Sequence, residues 1–139
     1  QAACRSLGGE RLDGAQAAAQ WQACREQQLP WFAEAGGRDL WRLSVPQTAA
    51  ELDLGAPSLI EWHGAQRWVH APAGDAERLR RIAKDTGGHA TLFRTSPDAA
   101  AGLARFQALA APLDRIHAKL KREFDPVGVF NPGRLFPNF

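Results

Sequence analysis

The sequence predicts an α+β fold: an antiparallel sheet of about four strands with helices on one face, of the ferredoxin-like or split βαβ type. Three observations predict it. Four short stretches carry strand signals, an amphipathic charged stretch stands between the third and fourth, and turn residues punctuate the junctions. A length of 139 residues suits one domain with one core, and 45% hydrophobic with 23% charged residues is the balance of a globular chain.

Leu7-Gly8-Gly9 reads as a turn, after which Asp13 can cap a helix over 14–28 that puts Ala17, Trp21, Cys24 and Gln28 on one face. Pro30 stops that helix. Leu29-Pro30-Trp31-Phe32 is apolar and is expected to pack on the sheet, and Gly36-Gly37 marks a turn. In 39–45, Leu40, Arg42 and Ser44 alternate with Trp41, Leu43 and Val45, the period of a strand with two unlike faces, and Pro46 ends it. Strands over 58–62 and 66–70 flank His63-Gly64-Ala65, so a hairpin joins them.

Asp75 caps a helix running to about Thr86, with Leu79, Ile82 and Ala83 on its buried side. Gly87-Gly88 closes it, and 89–94 returns as the fourth strand. The soft composition of 96–111 predicts a loop with one or two helical turns. Pro112 fits the first turn of a last helix, where its missing N–H matters least. Leu113, Ile116, Leu120 and Phe124 recur along that helix at helical spacing, and Lys119, Lys121 and Arg122 load its C-terminal end. Two Pro, two Gly and an Asn within 124–134 exclude regular structure there. Trp21, Trp41, Trp62 and Trp68 read mostly as core, and His63 and His70 as surface or turn residues. Trp31-Phe32 and Phe136–Phe139 read as looser surface.

Charge argues against nucleic acid as a partner. The net charge is +2, and 14 Arg and 3 Lys are interleaved with 15 acids, with no basic stripe longer than Arg78-Leu79-Arg80-Arg81. Cys4 and Cys24 form no CxxC and no cluster with His, which predicts two free thiols and no metal site. No apolar run approaches the roughly 20 residues of a membrane helix. With no Met and no signal-like opening, the chain is expected to be part of something longer.

The tail carries the most specific signal. Leu120-Lys121, Phe124-Asp125-Pro126 and Gly128-Val129-Phe130-Asn131-Pro132-Gly133-Arg134 together resemble the C-terminal signature of FAD-linked oxidases of the vanillyl-alcohol oxidase class. Leu40-Trp41-Arg42-Leu43-Ser44-Val45-Pro46, Glu61-Trp62-His63-Gly64-Ala65-Gln66-Arg67-Trp68 and Gly87-Gly88-His89-Ala90-Thr91-Leu92-Phe93-Arg94 narrow the resemblance to FAD-binding subunits of bacterial glycolate oxidases.

The resemblance covers nearly all of residues 1–139 and implies a single C-terminal cap domain that covers the flavin ring and shapes the substrate side. The N-terminal FAD-binding domain of such a subunit is absent from this chain, which contains no GxGxxG, so the chain alone is not expected to hold FAD. The implied activity is oxidation of glycolate, a small 2-hydroxy acid, to glyoxylate. The implied partners are an FAD-linked catalytic subunit and an iron–sulfur subunit, in the cytoplasm or at the inner membrane through those subunits.

For single residues, the resemblance sets Asn131 near the flavin ring, where an amide offers a donor and an acceptor; a turn Asn is the other reading. Arg134 suits phosphate or carboxylate, or is a solvated tail residue. Arg42 matches a strand Arg that meets the substrate carboxylate in related dehydrogenases, or forms a surface salt bridge. His89 stands where catalytic relatives carry a His-rich, metal-gathering signature. Here the stretch has no second His and no acid, which puts independent catalysis by this subunit in doubt and leaves a hydrogen-bonded strand His as the alternative. A non-catalytic assembly module of the same complex is the rival function.

Overall fold

The computed structural model describes residues 2–97 and 102–136, the side chains of Ala2 and Ala3 excepted. The chain divides into two compact units, Gln1–Ala35 and Gly36–Phe139.

The first unit is helical. It holds α1 (Ala2–Ser6), which the sequence reading did not anticipate, α2 (Gly14–Arg25) and the single turn α3 (Pro30–Ala33). Asp13 caps α2 as expected, in a capping box: its carboxylate accepts from the Gln16 N–H at 2.8 Å, and Gln16 Oε1 accepts from the Asp13 N–H at 3.2 Å. The helix ends at Arg25, short of Gln28, because Gln27 turns left-handed at φ 55°. Trp21 is 76% exposed, not core, since α2 is built of Ala and Gln and buries none of its residues. Pro30 lies beyond the end of α2 and so opens α3 instead of stopping its predecessor, and Phe32 is buried with Trp31 edge-on to it at 5.2 Å. That pair is therefore packed and not loose surface.

The second unit is the sheet. Strands β1 (Asp39–Ser44), β2 (Ser58–Glu61), β3 (Gln66–Ala71) and β4 (His89–Arg94) form one antiparallel sheet in the order β2-β3-β1-β4. Helix α4 (Ala76–Asp85) links β3 to β4 and covers one face. Trp41, Leu43, Val69, Ala71, Ala90 and Leu92 of the strands meet Ala76, Leu79 and Ala83 of α4 in one buried cluster. The α+β, ferredoxin-like expectation holds. The β1–β2 connection is irregular and is fastened by the guanidinium groups, with Arg67 donating to the Ala49 carbonyl at 3.3 Å and Arg78 to that of Leu54 at 2.9 Å. Gly88 is required where α4 hands over to β4, since a Cβ there would lie 2.0 Å from the Ser44 carbonyl oxygen.

Four local expectations are corrected. β2 ends at Glu61, and a 3-10 turn (Trp62–Gly64) makes the hairpin; left-handed backbone at Trp62 and His63 carries Trp62 out to 75% exposure. His70 is buried, because β3 is an interior strand flanked by β2 and β1. Asp75 stands at the start of α4, but its carboxylate accepts from Arg78 Nη2 at 2.6 Å in place of a backbone N–H. Residues 102–110 form no helix. They run along the free edge of β4, the Leu92 N–H donating to the Arg105 carbonyl at 2.8 Å and the Ala90 N–H to Gln107 Oε1 at 3.0 Å, which satisfies edge donors that a helix would leave open. The part of that expectation at 98–101 lies outside the described residues, as do Pro137–Phe139.

Helix α5 (Ala111–Phe124) forms with Pro112 in its first turn. Its apolar stripe is not core: Leu113, Ile116, Leu120 and Phe124 are all about half exposed or more. No helix among the described residues is long and apolar enough to cross a membrane.

Candidate functional site

Strand alternation gives the sheet a second face, opposite α4. Leu40, Arg42 and Ser44 of β1 lie on it, and the antiparallel register sets His70, Trp68 and Gln66 of β3 beside them. On the other flank Thr91 pairs with Arg42 and His89 with Ser44. Glu61, opposite Gln66, completes the row from β2. Two of the predicted site residues, Arg42 and His89, thus share one face.

The side chains on this face are linked across three strands. Glu61 Oε2 accepts from Trp68 Nε1 at 2.6 Å and from Gln66 Nε2 at 2.9 Å. Trp68 is buried and stands edge-to-face with Phe93, centroids 4.9 Å apart. The Arg42 guanidinium lies 5.7 Å from the Phe93 centroid, and that of Arg94 lies at the same distance. Among the described residues no carboxylate forms an ion pair with Arg42. His89 is exposed at the strand start, and no His, Cys, Asp or Glu cluster of metal-binding size occurs among the described residues.

Asn131 and Arg134 belong to the tail after α5, where they share a turn: the Arg134 N–H donates to the Asn131 carbonyl at 3.2 Å. Asn131 is left-handed at φ 46°, a conformation Asn tolerates better than most residues, and both side chains are exposed. The anchor of this tail is Asp125, which is 7% exposed. Its carboxylate accepts from Lys121 Nζ, from the Val129 N–H at 2.9 Å and from the Phe130 N–H at 3.0 Å, and Lys121 also donates to the Phe130 carbonyl at 2.5 Å. The Lys121 ammonium first, then the two backbone N–H groups, outweigh the effect of burial and hold the carboxyl down at about 2. Phe136 closes the tail against His117 of α5 and Phe106, with centroids at 6.0 and 6.4 Å.

Sequence reasoning missed Asp125, Glu61 and Trp68 as working parts. Asp125 was visible as an acid one helical turn after Lys121 and directly before Pro126. The Glu61–Trp68 bond was legible only once the hairpin register was known.

The glycolate oxidase subunit GlcE of Escherichia coli (strain K12) is 46% identical to the chain over 136 residues, 98% of its length. The chain is similar to a glycolate oxidase subunit. It spans 35% of the length of GlcE, and the resemblance read from the tail and strand motifs stands. No protein-family profile matches the chain, and no solved structure matches it.

Proposed function

We propose that this chain is the C-terminal cap of the FAD-binding subunit of a glycolate oxidase that converts glycolate to glyoxylate. The observation that carries the reading is the 46% identity to GlcE along nearly the whole chain. The chemistry of the sheet face supports it. A small 2-hydroxy acid presents a carboxylate, and Arg42 is a half-buried guanidinium with an aromatic backing and no acid paired to it among the described residues. Bound flavin would supply the acceptor for the hydride leaving the α-carbon. The donors present fit the ring end of that cofactor: the Asn131 amide can both donate to and accept from a ring that carries carbonyls and nitrogens, and Arg134 can hold an anionic edge. In this reading Arg42 orients the substrate carboxylate, and His89, alone on its strand, is a polar neighbour of the site and not a metal ligand.

The partners in this proposal are the N-terminal FAD-binding domain of the same subunit, an FAD-linked catalytic subunit and an iron–sulfur subunit, in the cytoplasm or held at the inner membrane by those subunits. One observation favours the second reading, a non-catalytic assembly module: the uncovered apolar stripe of α5. The absorption spectrum of the longer subunit, purified alone and with its partners, separates the two. A stoichiometric flavin spectrum that bleaches with glycolate is expected; a subunit that assembles with its partners yet carries no flavin supports the assembly module.

A further inference from the structure

We propose that Glu61 is a positioning residue, which fixes Trp68 and through Trp68 and Phe93 holds the Arg42 guanidinium in one orientation toward the carboxylate of a ligand. The inference rests on the reading of Arg42 given above and adds the device that aims it.

An indole N–H can only donate, and Trp68 is buried, so without an acceptor its donor would be left unsatisfied. Glu61 is that acceptor, at 2.6 Å, a short charge-assisted bond. The bond reaches across the β2–β3 pair and sets the plane of the indole. Trp68 then meets Phe93 at an interplanar angle of 86°, which limits the swing of a ring otherwise more than a third exposed. Phe93 in turn backs Arg42, directly opposite Trp68 in the β1–β3 register.

Charge placement fits the same purpose. Glu61 belongs to β2, two strands from Arg42 in the order β2-β3-β1, and its Oε2 is committed to Trp68 and Gln66. That oxygen thus serves the aromatic pair, and among the described residues no carboxylate forms an ion pair with the Arg42 guanidinium. A guanidinium held in place before binding loses less side-chain freedom when it binds.

The test has two arms. In the 139-residue chain, Arg Nε–Hε NMR follows Arg42 directly. Glu61→Leu is expected to collapse the distinct Arg42 signal toward the averaged position of free Arg side chains, while Glu61→Gln, which keeps an acceptor for Trp68, retains it. Trp68→Phe, which keeps a ring but removes the N–H, should behave like Glu61→Leu. Backbone amide spectra identify any variant that fails to fold, and Glu61→Gln against Trp68→Phe then decides the matter. An Arg42 signal unchanged in both Glu61→Leu and Trp68→Phe overturns the proposal.

The second arm measures glycolate oxidation by the assembled complex. Glu61→Leu is expected to raise KM roughly two- to fivefold, the weight of a partly exposed cation–π contact, with kcat little changed. In an Arg42→Ala background it should raise KM no further. A full additional rise in that background also overturns the proposal, because Glu61 would then act without Arg42. If Arg42→Ala itself leaves KM unchanged, the carboxylate reading of Arg42 fails, and the NMR arm still decides what Glu61 does.

Discussion

Two truncations of equal size should have very different effects on the second unit. Leu79 of α4 is fully buried against the sheet, whereas Ile116 of α5 is 51% exposed. Leu79→Ala removes three carbons, about 2.4 kcal/mol of transfer free energy at ~0.8 kcal/mol per carbon. The cavity left under α4 adds to this, for a total of about 3 to 4 kcal/mol. Ile116→Ala also removes three carbons, but about half of the side chain is already in water and no cavity forms, so the loss is about 1.2 kcal/mol at most. The better helix propensity of Ala offsets about 0.4 kcal/mol of that, leaving under ~1 kcal/mol. Urea unfolding followed by amide NMR intensities of β1 and β3 reports on the sheet alone. Equal destabilisation by the two variants would refute the argument, since it would mean that the α5 stripe is covered in solution.

Gly88→Ala should destabilise the second unit by about 3 kcal/mol or more and shift the Ser44 and His89 amides, because its Cβ meets the Ser44 carbonyl and not a mobile side chain; chemical shifts and unfolding midpoints check this. The Asp125 carboxyl is depressed in the folded chain, so its contribution is complete above the ordinary value of 3.8 and is lost as pH falls through about 2. The Val129 and Phe130 amide shifts should therefore titrate near 2, and a midpoint near 4 would show that Asp125 does not anchor the tail. In the longer flavin-bearing subunit proposed above, Asn131→Ala should weaken flavin binding by roughly 1 to 3 kcal/mol or shift its reduction potential, while Arg81→Ala, exposed on α4, should do neither. Equal and negligible effects would make Asn131 a turn residue only.

The strands were legible because their chemistry is local. Alternation in 39–45 reports two unlike faces, and Pro46, His63-Gly64-Ala65 and Gly87-Gly88 mark where strands must stop. Exposure was harder to read. Trp21 and Trp62 look like core residues by type, yet one lies on an Ala/Gln helix with nothing to bury it and the other on a left-handed turn, and neither fact is encoded in hydrophobicity. His70 erred in the opposite direction, since strand order decides which strand is interior and order is a long-range property. Spacing brought out the stripe of α5 but not whether anything covers it. At the candidate site, alternation already put Arg42 on one strand face. Its link through Phe93 and Trp68 to Glu61 depends on register across three strand pairs, which the sequence does not display.

Exchange tests whether this chain serves as the cap of a glycolate-oxidising flavin subunit, as proposed above. The segment of GlcE that the chain matches would be replaced by this chain, and glycolate-dependent flavin reduction would be measured in the assembled chimeric complex. Glycolate-dependent bleaching is expected, and Arg42→Ala should weaken it through KM. A chimera that folds, assembles and carries flavin, yet does not respond to glycolate at any concentration, would contradict it.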